Sequence, residues 1–331
     1  MTEEKTTAGG PPVLEIDGLG ISLPDDKAAR PILDGVSLRV LPGETVGLVG
    51  ESGSGKSVAC RSVLGLLPAG ARTSGQVRVT GRDVLTMNRA ERTVLRARQV
   101  AMVFQDPRAS VNPLRRVGDF LTEGLRAAGT PAASAAARAE ELLAAVGIRD
   151  PRGALRRRPH EFSGGMLQRV VIAAALAAEP ALLVADEPTT ALDVTTQAEI
   201  ISILTGLRAE RGTGLLFVTH DLELASAICD RVYVMYAGRI VETRGTDELF
   251  ERPRHPYTAG LLACTPRIER GSPAPRPIPG RPVSLSEAPP GCAFAARCAH
   301  ALPRCSEETP ALARYGDGLA ACHRADEGIT L

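Results

Sequence analysis

The stretch "GESGSGKS", residues 50–57, decides the fold. It fits the pattern Gly-x4-Gly-Lys-Ser and lies between a β-rich run, "TVGLVG", and an apolar-periodic run, "GKSVACRSVLGLL". A strand leading into such a loop and a helix leading out is the context this pattern needs. Gly50, Gly53 and Gly55 allow backbone N–H groups around Ser52 to curl about phosphate oxygens with no Cβ in the way, and the helix start adds partial positive charge. Lys56 is then expected to meet the β and γ phosphates, and the Ser57 hydroxyl to ligate Mg²⁺. Lysine is otherwise confined to Lys5 and Lys27, because arginine has nearly replaced it.

Outward from the loop, short β-rich runs separated by Gly, Pro and Asp begin at Val13. After the expected helix come strands at "QVRVTG" and "QVAMVFQ", and strand–helix–strand order implies a parallel α/β core. Residues 106–178 read as helices: "VGDFLTEGLRAAG", the Ala-rich "AASAAARAEELLAAVG", and a helix opening at "SGGMLQRVVIAAALAA". Strands return at "ALLVADE" and "GLLFVTH", separated by the amphipathic "TTQAEIISILTGLRAE". "RVYVMYAGRIVETRG" reads as two strands about a Gly turn. A Pro-rich connector, residues 266–290, precedes a short tail. The expected layout is a leader over 1–12, a core domain over 13–250 with the helical insert, and an extension over 251–331.

The apolar strand in "ALLVADEP" delivers Asp186 to a sheet edge, where it is expected to hold Mg²⁺ through water. Glu187, immediately beyond, is the candidate to orient or deprotonate an attacking water, a role worth on the order of 10²–10⁴-fold in rate.

The 39 basic residues nearly cancel the 38 acidic ones, so no positive field favours nucleic acid or an anionic membrane. The longest apolar stretch, starting at Val170, is cut by Glu179 and Pro180 before it would cross a bilayer. The polar N-terminus lacks a secretory apolar core, so a cytoplasmic chain with reduced thiols is expected. Of seven cysteines, Cys60, Cys229 and Cys264 are scattered, whereas Cys292, Cys298, Cys305 and Cys322 cluster in a tail too polar and Pro-rich to build its own core. Disulfides are disfavoured by the compartment. Four thiolates suit zinc, although these intervals are wider than the usual paired spacing, and four cysteines are also the usual set for a [4Fe–4S] cluster.

Taken together, these motifs resemble the ATP-binding subunits of ABC transporters. Gln105 in "MVFQDP" is similar to the family's Q-loop glutamine, "FSGGMLQ" (residues 162–168) to its signature motif, "TALD" ending at Asp193 to its D-loop, and His220 in "FVTHD" to its switch histidine. The resemblance implies that Gln105 touches Mg²⁺ or the lytic water, that His220 contacts the γ-phosphate, and that Ser163, Gly164 and Gly165 cap the γ-phosphate held by an opposite subunit. The adenine-stacking aromatic common in the family is missing, since no Phe, Tyr or Trp precedes Phe104; Leu23 or Ile32 is left to pack there.

"FQDPRASVNPLRRVGD", "HEFSGGMLQRVVIA" and "RHPYTAGLL" further resemble the oligopeptide, dipeptide and nickel importers. That branch implies a second ATPase subunit, two transmembrane permeases, an extracellular substrate-binding protein, a place at the cytoplasmic face of the membrane, and a [4Fe–4S] cluster on the four tail cysteines. A soluble ABC ATPase acting on ribosomes or nucleic acid is the alternative.

Overall fold

The computed structural model describes residues 10–25, 29–190, 192–265 and 274–327, and only the helical backbone of 207–211. Residues 1–9 of the expected leader, Lys27, Ala191 and residues 266–273 of the connector lie outside the described residues. The chain forms two compact units: one built from Arg39–Glu44 and Arg78–Leu216 with the chain up to Leu14, the other from Glu15–Leu38, Thr45–Val77 and Phe217–Leu331.

In the first unit, the strands Val100–Val103 and Leu182–Asp186 pair in parallel, with Val100 opposite Leu182 and Val103 opposite Ala185. All five residues of Leu182–Asp186 are buried, the continuous apolar pattern of a strand covered on both faces. The helical insert is here as expected. Val117–Ala127 and Ala132–Ala145 pack on Gly164–Ala177, whose buried Leu167, Val170, Val171, Ile172, Ala175 and Leu176 cover most of its circumference. A helix apolar nearly all round must sit centrally among its neighbours. One helix, Arg89–Arg98, escaped the periodicity reading, yet it opens with a capping box. Asn88 Oδ1 accepts from Glu91 N at 3.0 Å while Asn88 N donates to Glu91 Oε2 at 2.9 Å. The spacing Asn-x-x-Glu was the legible signal.

In the second unit, Thr45–Val49, fully buried, runs parallel to Arg231–Tyr236. Arg231–Tyr236 pairs antiparallel with Arg239–Gly245, across the expected Gly turn. The tail, far from hanging loose, lengthens this sheet: Gly318–Ala320 pairs antiparallel with Arg239–Gly245, and Ala313–Tyr315 pairs with Gly318–Ala320. Arg244 Nη2 donates to Asp317 Oδ1 at 2.6 Å and locks the turn. The extension has few apolar residues of its own, so joining an existing sheet satisfies its backbone and lends it a core. Leu14–Leu23 lies between two neighbours in a four-stranded sheet and alternates buried with half-buried positions apart from the exposed Asp17 and Gly18, the pattern of a strand with one face on the core.

Candidate functional site

The phosphate loop lies in the second unit, at the end of the buried strand Thr45–Val49 and before the helix Lys56–Val63. Two glycines are sterically required. Gly55 caps the helix at φ 107°, where a Cβ would stand 2.6 Å from Leu33 Cδ2; Gly50 has its would-be Cβ 2.2 Å from the Met235 carbonyl oxygen. The Lys56 ammonium is folded over the loop, donating to Gly50 O at 2.6 Å and Glu51 O at 3.0 Å. Ser57 follows on the first helical turn, and Ser52 and Gly53 form the exposed crown of the loop. His220 stands in the same unit, exposed just past the strand Gly214–Thr219. Its turn is pinned on both sides: Asp221 N donates to Thr219 Oγ1 at 2.9 Å, and Asp221 Oδ1 caps the following helix by accepting from Leu224 N at 3.1 Å.

In the first unit, Asp186 ends the strand Leu182–Asp186 and is almost fully buried. Glu187 then turns the chain with φ 49°, a left-handed conformation costly for a residue with a side chain. Such strain persists where the surroundings hold it, and here Gln105 Nε2 donates to Glu187 Oε2 at 2.9 Å while Thr190 Oγ1 donates to the same oxygen at 3.0 Å. The fold thus brings Gln105 onto Glu187 across 82 residues of chain. The carboxylate is aimed rather than mobile, which general-base work demands.

The signature residues form a second anion-ready place in this unit. Ser163 caps the helix Gly164–Ala177, its Oγ accepting from Met166 N at 3.3 Å. Ser163, Gly164, Gly165 and Asp193 line a cavity of about 350 Å³ together with Arg169, Leu192 and Thr196. Beside Gly164 there is open space, whereas a Cβ on Gly165 would lie 2.6 Å from Thr196 Cγ2. Bonds from the Thr196 backbone N–H and hydroxyl hold the Asp193 carboxyl below its ordinary range. Arg169, unnoticed in the sequence, reaches Val146 O at 2.8 Å and pairs with Glu199, leaving its guanidinium at the wall of the cavity. Bare helical N–H groups beside an arginine suit a phosphate.

The four clustered cysteines also come together, around a narrow cavity they share with His255, His300 and His323. Their thiols are free. Cys292 N donates to Cys305 O at 2.7 Å, and the sulfurs of Cys298, Cys305 and Cys322 each accept a backbone N–H at 3.4 Å, from His300, Leu302 and Arg324. Burial first, then mutual repulsion, pushes the Cys292, Cys298 and Cys322 thiols up. Among the described residues, no three His, Cys, Asp or Glu side chains converge closely enough to hold one metal ion.

Cleaving the β–γ bond of a nucleotide takes a cradle for the phosphates, a carboxylate aimed at water, and donors that close over the γ-phosphate from another side. A glycine loop after a buried strand, an acidic pair at a strand end and a serine–glycine helix start are features of these three kinds, and the class so defined is the ABC-type P-loop ATPase. Residues 33–190 match the ABC transporter family, and residues 241–305 match the oligopeptide/dipeptide transporter C-terminal region. The chain is 41% identical over 332 residues to the oligopeptide transport ATP-binding protein OppD of Salmonella typhimurium, covering 99% of each. It is 43% identical over 324 residues to the probable peptide ABC transporter ATP-binding protein y4tR of Sinorhizobium fredii, covering 96% of this chain and 97% of that protein. The dimeric post-hydrolysis structure of the ATP-binding cassette MJ0796, bound to ADP and Pi, superposes with a TM-score of 0.64 at 26% identity over 70% of this chain and 98% of that one. The chain belongs to the ATP-binding subunits of ABC transporters, in the oligopeptide/dipeptide branch, and it is an ATPase. No helix among the described residues is long and apolar enough to cross a membrane.

Proposed function

We propose that this subunit powers the import of peptides or similar small solutes, working at the cytoplasmic face of the membrane on two permease subunits supplied by an extracellular binding protein. The observation that carries this reading is the joint match of one chain to the transporter cassette and to the peptide-transporter C-terminal region. Lys56 and the loop N–H groups hold the β and γ phosphates, Ser57, Gln105 and Asp186 attend Mg²⁺, Glu187 orients the water, and His220 senses the γ-phosphate. Ser163, Gly164, Gly165 and Asp193 serve the nucleotide of a second cassette. ATP therefore favours the closed pair because its contacts exist only there, and hydrolysis releases it. The near balance of charge argues against the ribosome or nucleic-acid alternative.

The test is ATP turnover and ATP-dependent peptide uptake in vesicles carrying the assembled transporter. Lys56→Ala is expected to abolish nucleotide binding, while Glu187→Gln retains binding and lowers turnover by about 10²–10⁴-fold. Turnover and uptake surviving both substitutions would refute the assignment.

For the tail we infer an iron–sulfur cluster held by Cys292, Cys298, Cys305 and Cys322. In a cubane each thiolate bonds a different iron, so the sulfurs need not converge on one point, and the N–H groups directed at three of them suit charged sulfur. When bound, such a cluster supplies cross-linking that becomes folding energy for a small tail. Anaerobic purification followed by iron, sulfide and zinc analysis is expected to find about four irons and four sulfides per chain. Stoichiometric zinc with no iron would overturn the inference.

A further inference from the structure

Glu51, the second residue of the phosphate loop, is gripped from the C-terminal extension. Its backbone N–H donates to the Tyr257 hydroxyl at 2.8 Å. Its carboxylate takes a two-pronged bond from Arg297, Nη1 to Oε2 at 2.7 Å and Nη2 to Oε1 at 3.0 Å. Arg297 is itself firmly seated. It is 7% exposed, its Nε donates to Pro279 O at 2.8 Å, and its guanidinium lies over the rings of Phe294 and Tyr236 at 5.7 and 5.8 Å. The bonds to Glu51 also hold the guanidinium more firmly protonated than usual. Tyr257 is fully buried, and Tyr236 packs on it with ring centroids 4.6 Å apart.

The grip has a geometric consequence for Lys56. The N–H of Glu51 and the C=O of Gly50 belong to one planar peptide, so fixing the first aims the second. The Gly50 carbonyl is the oxygen that Lys56 Nζ meets at 2.6 Å, and the Glu51 carbonyl meets the same nitrogen at 3.0 Å. Tyr257 thus orients the Gly50–Glu51 peptide, and Arg297 holds the side chain of Glu51, whose own carbonyl is the second acceptor for Lys56. A planar guanidinium fork gives direction as well as attraction, which a lysine would not.

We propose that Arg297 and Tyr257 are positioning residues of the ATP site: the extension seats the phosphate loop and its lysine, so nucleotide affinity depends on a segment 246 residues away in sequence. This rests on the ATP-binding reading of the loop. The full-length chain is titrated with a fluorescent ATP analogue, then with ATP in competition, and thermal midpoints are recorded for every variant. Wild-type binding that Lys56→Ala abolishes establishes the loop itself; if wild type does not bind, that reading falls first and the positioning role falls with it. Tyr257→Phe, which removes one oxygen, is expected to weaken ATP binding about 3- to 10-fold, and Arg297→Met at least 10-fold. Glu51→Gln combined with Arg297→Met is expected to be no weaker than Arg297→Met alone, because both remove one interaction. Arg281→Ala, at an exposed ion pair of the same extension, is expected to leave affinity unchanged. Tyr257→Phe and Arg297→Met that lower the thermal midpoint yet bind ATP within twofold of wild type would show a mere staple and overturn the proposal. So would strictly additive losses in the double variant. Should Arg297→Met fail to fold, Tyr257→Phe decides by itself.

Discussion

At the scale of single residues, the chemistry depends on side chains held in unfavourable states by their neighbours. Glu187 sits at positive φ with its carboxylate bonded by Gln105 and Thr190, so the residue proposed to orient water is held in a costly backbone conformation. His255 is the clearest titratable case. Burial pushes its imidazole down to about 4 from 6.5, and its Nδ1 accepts from Tyr257 N at 3.0 Å, capping the helix Pro256–Cys264. The unfolded chain takes this proton as pH falls below about 6.5 while the fold resists it until about 4, so stability is present above that window and is lost on acidification through it. The full effect is on the order of 3 kcal/mol. Glu242, whose carboxylate accepts from Arg254 N and His255 N, is pushed up by burial and acts with the opposite sign. Melting temperatures compared near pH 7 and pH 5 are therefore expected to fall further for wild type than for His255→Asn, which keeps a capping side chain without the proton. Equal losses would exclude His255 as the source.

At the scale of elements, the helix Gly164–Ala177 joins packing to function. Its body is core for the helical insert, and its first turn presents Ser163, Gly164 and Gly165 to the cavity beside Arg169. Gly164→Ala enters open space, while Gly165→Ala must displace Thr196 and with it the bonds to Asp193. Turnover of the assembled transporter is expected to fall at least tenfold for Gly165→Ala. Ser163→Ala also removes the cap, at a cost of about 1 kcal/mol in chain stability readable by denaturant titration. This helix was legible from its Ser-Gly-Gly start and its apolar run. The short strands Ala313–Tyr315 and Gly318–Ala320 were not, because three-residue strands carry no periodicity and exist here through pairing, Gly318–Ala320 with Arg239–Gly245 and Ala313–Tyr315 with Gly318–Ala320.

At the scale of the molecule, one chain carries both a phosphate loop and a signature helix, which the proposed function assigns to different nucleotides. Ser163→Ala is therefore expected to lower turnover of the assembled transporter by more than tenfold while the affinity of the isolated chain for ATP changes less than twofold. A matching loss of the chain's own affinity would contradict sharing between two cassettes. The candidate site was legible in the sequence, since Gly50, Lys56, Ser57, Asp186 and Glu187 are singled out by local pattern and spacing. A phosphate loop is defined by which residues stand within eight positions of each other, and no distant contact is needed to specify it. By itself, the sequence determined the class of ATPase, its strand–loop–helix core and the branch of its family. Only the tertiary structure decided that Gln105 bears on Glu187, that the four cysteines face one cavity, and that Arg297 and Tyr257 hold Glu51. Those are contacts between residues far apart in the chain, and their distances follow from how strands pair and side chains pack, which no local spacing encodes.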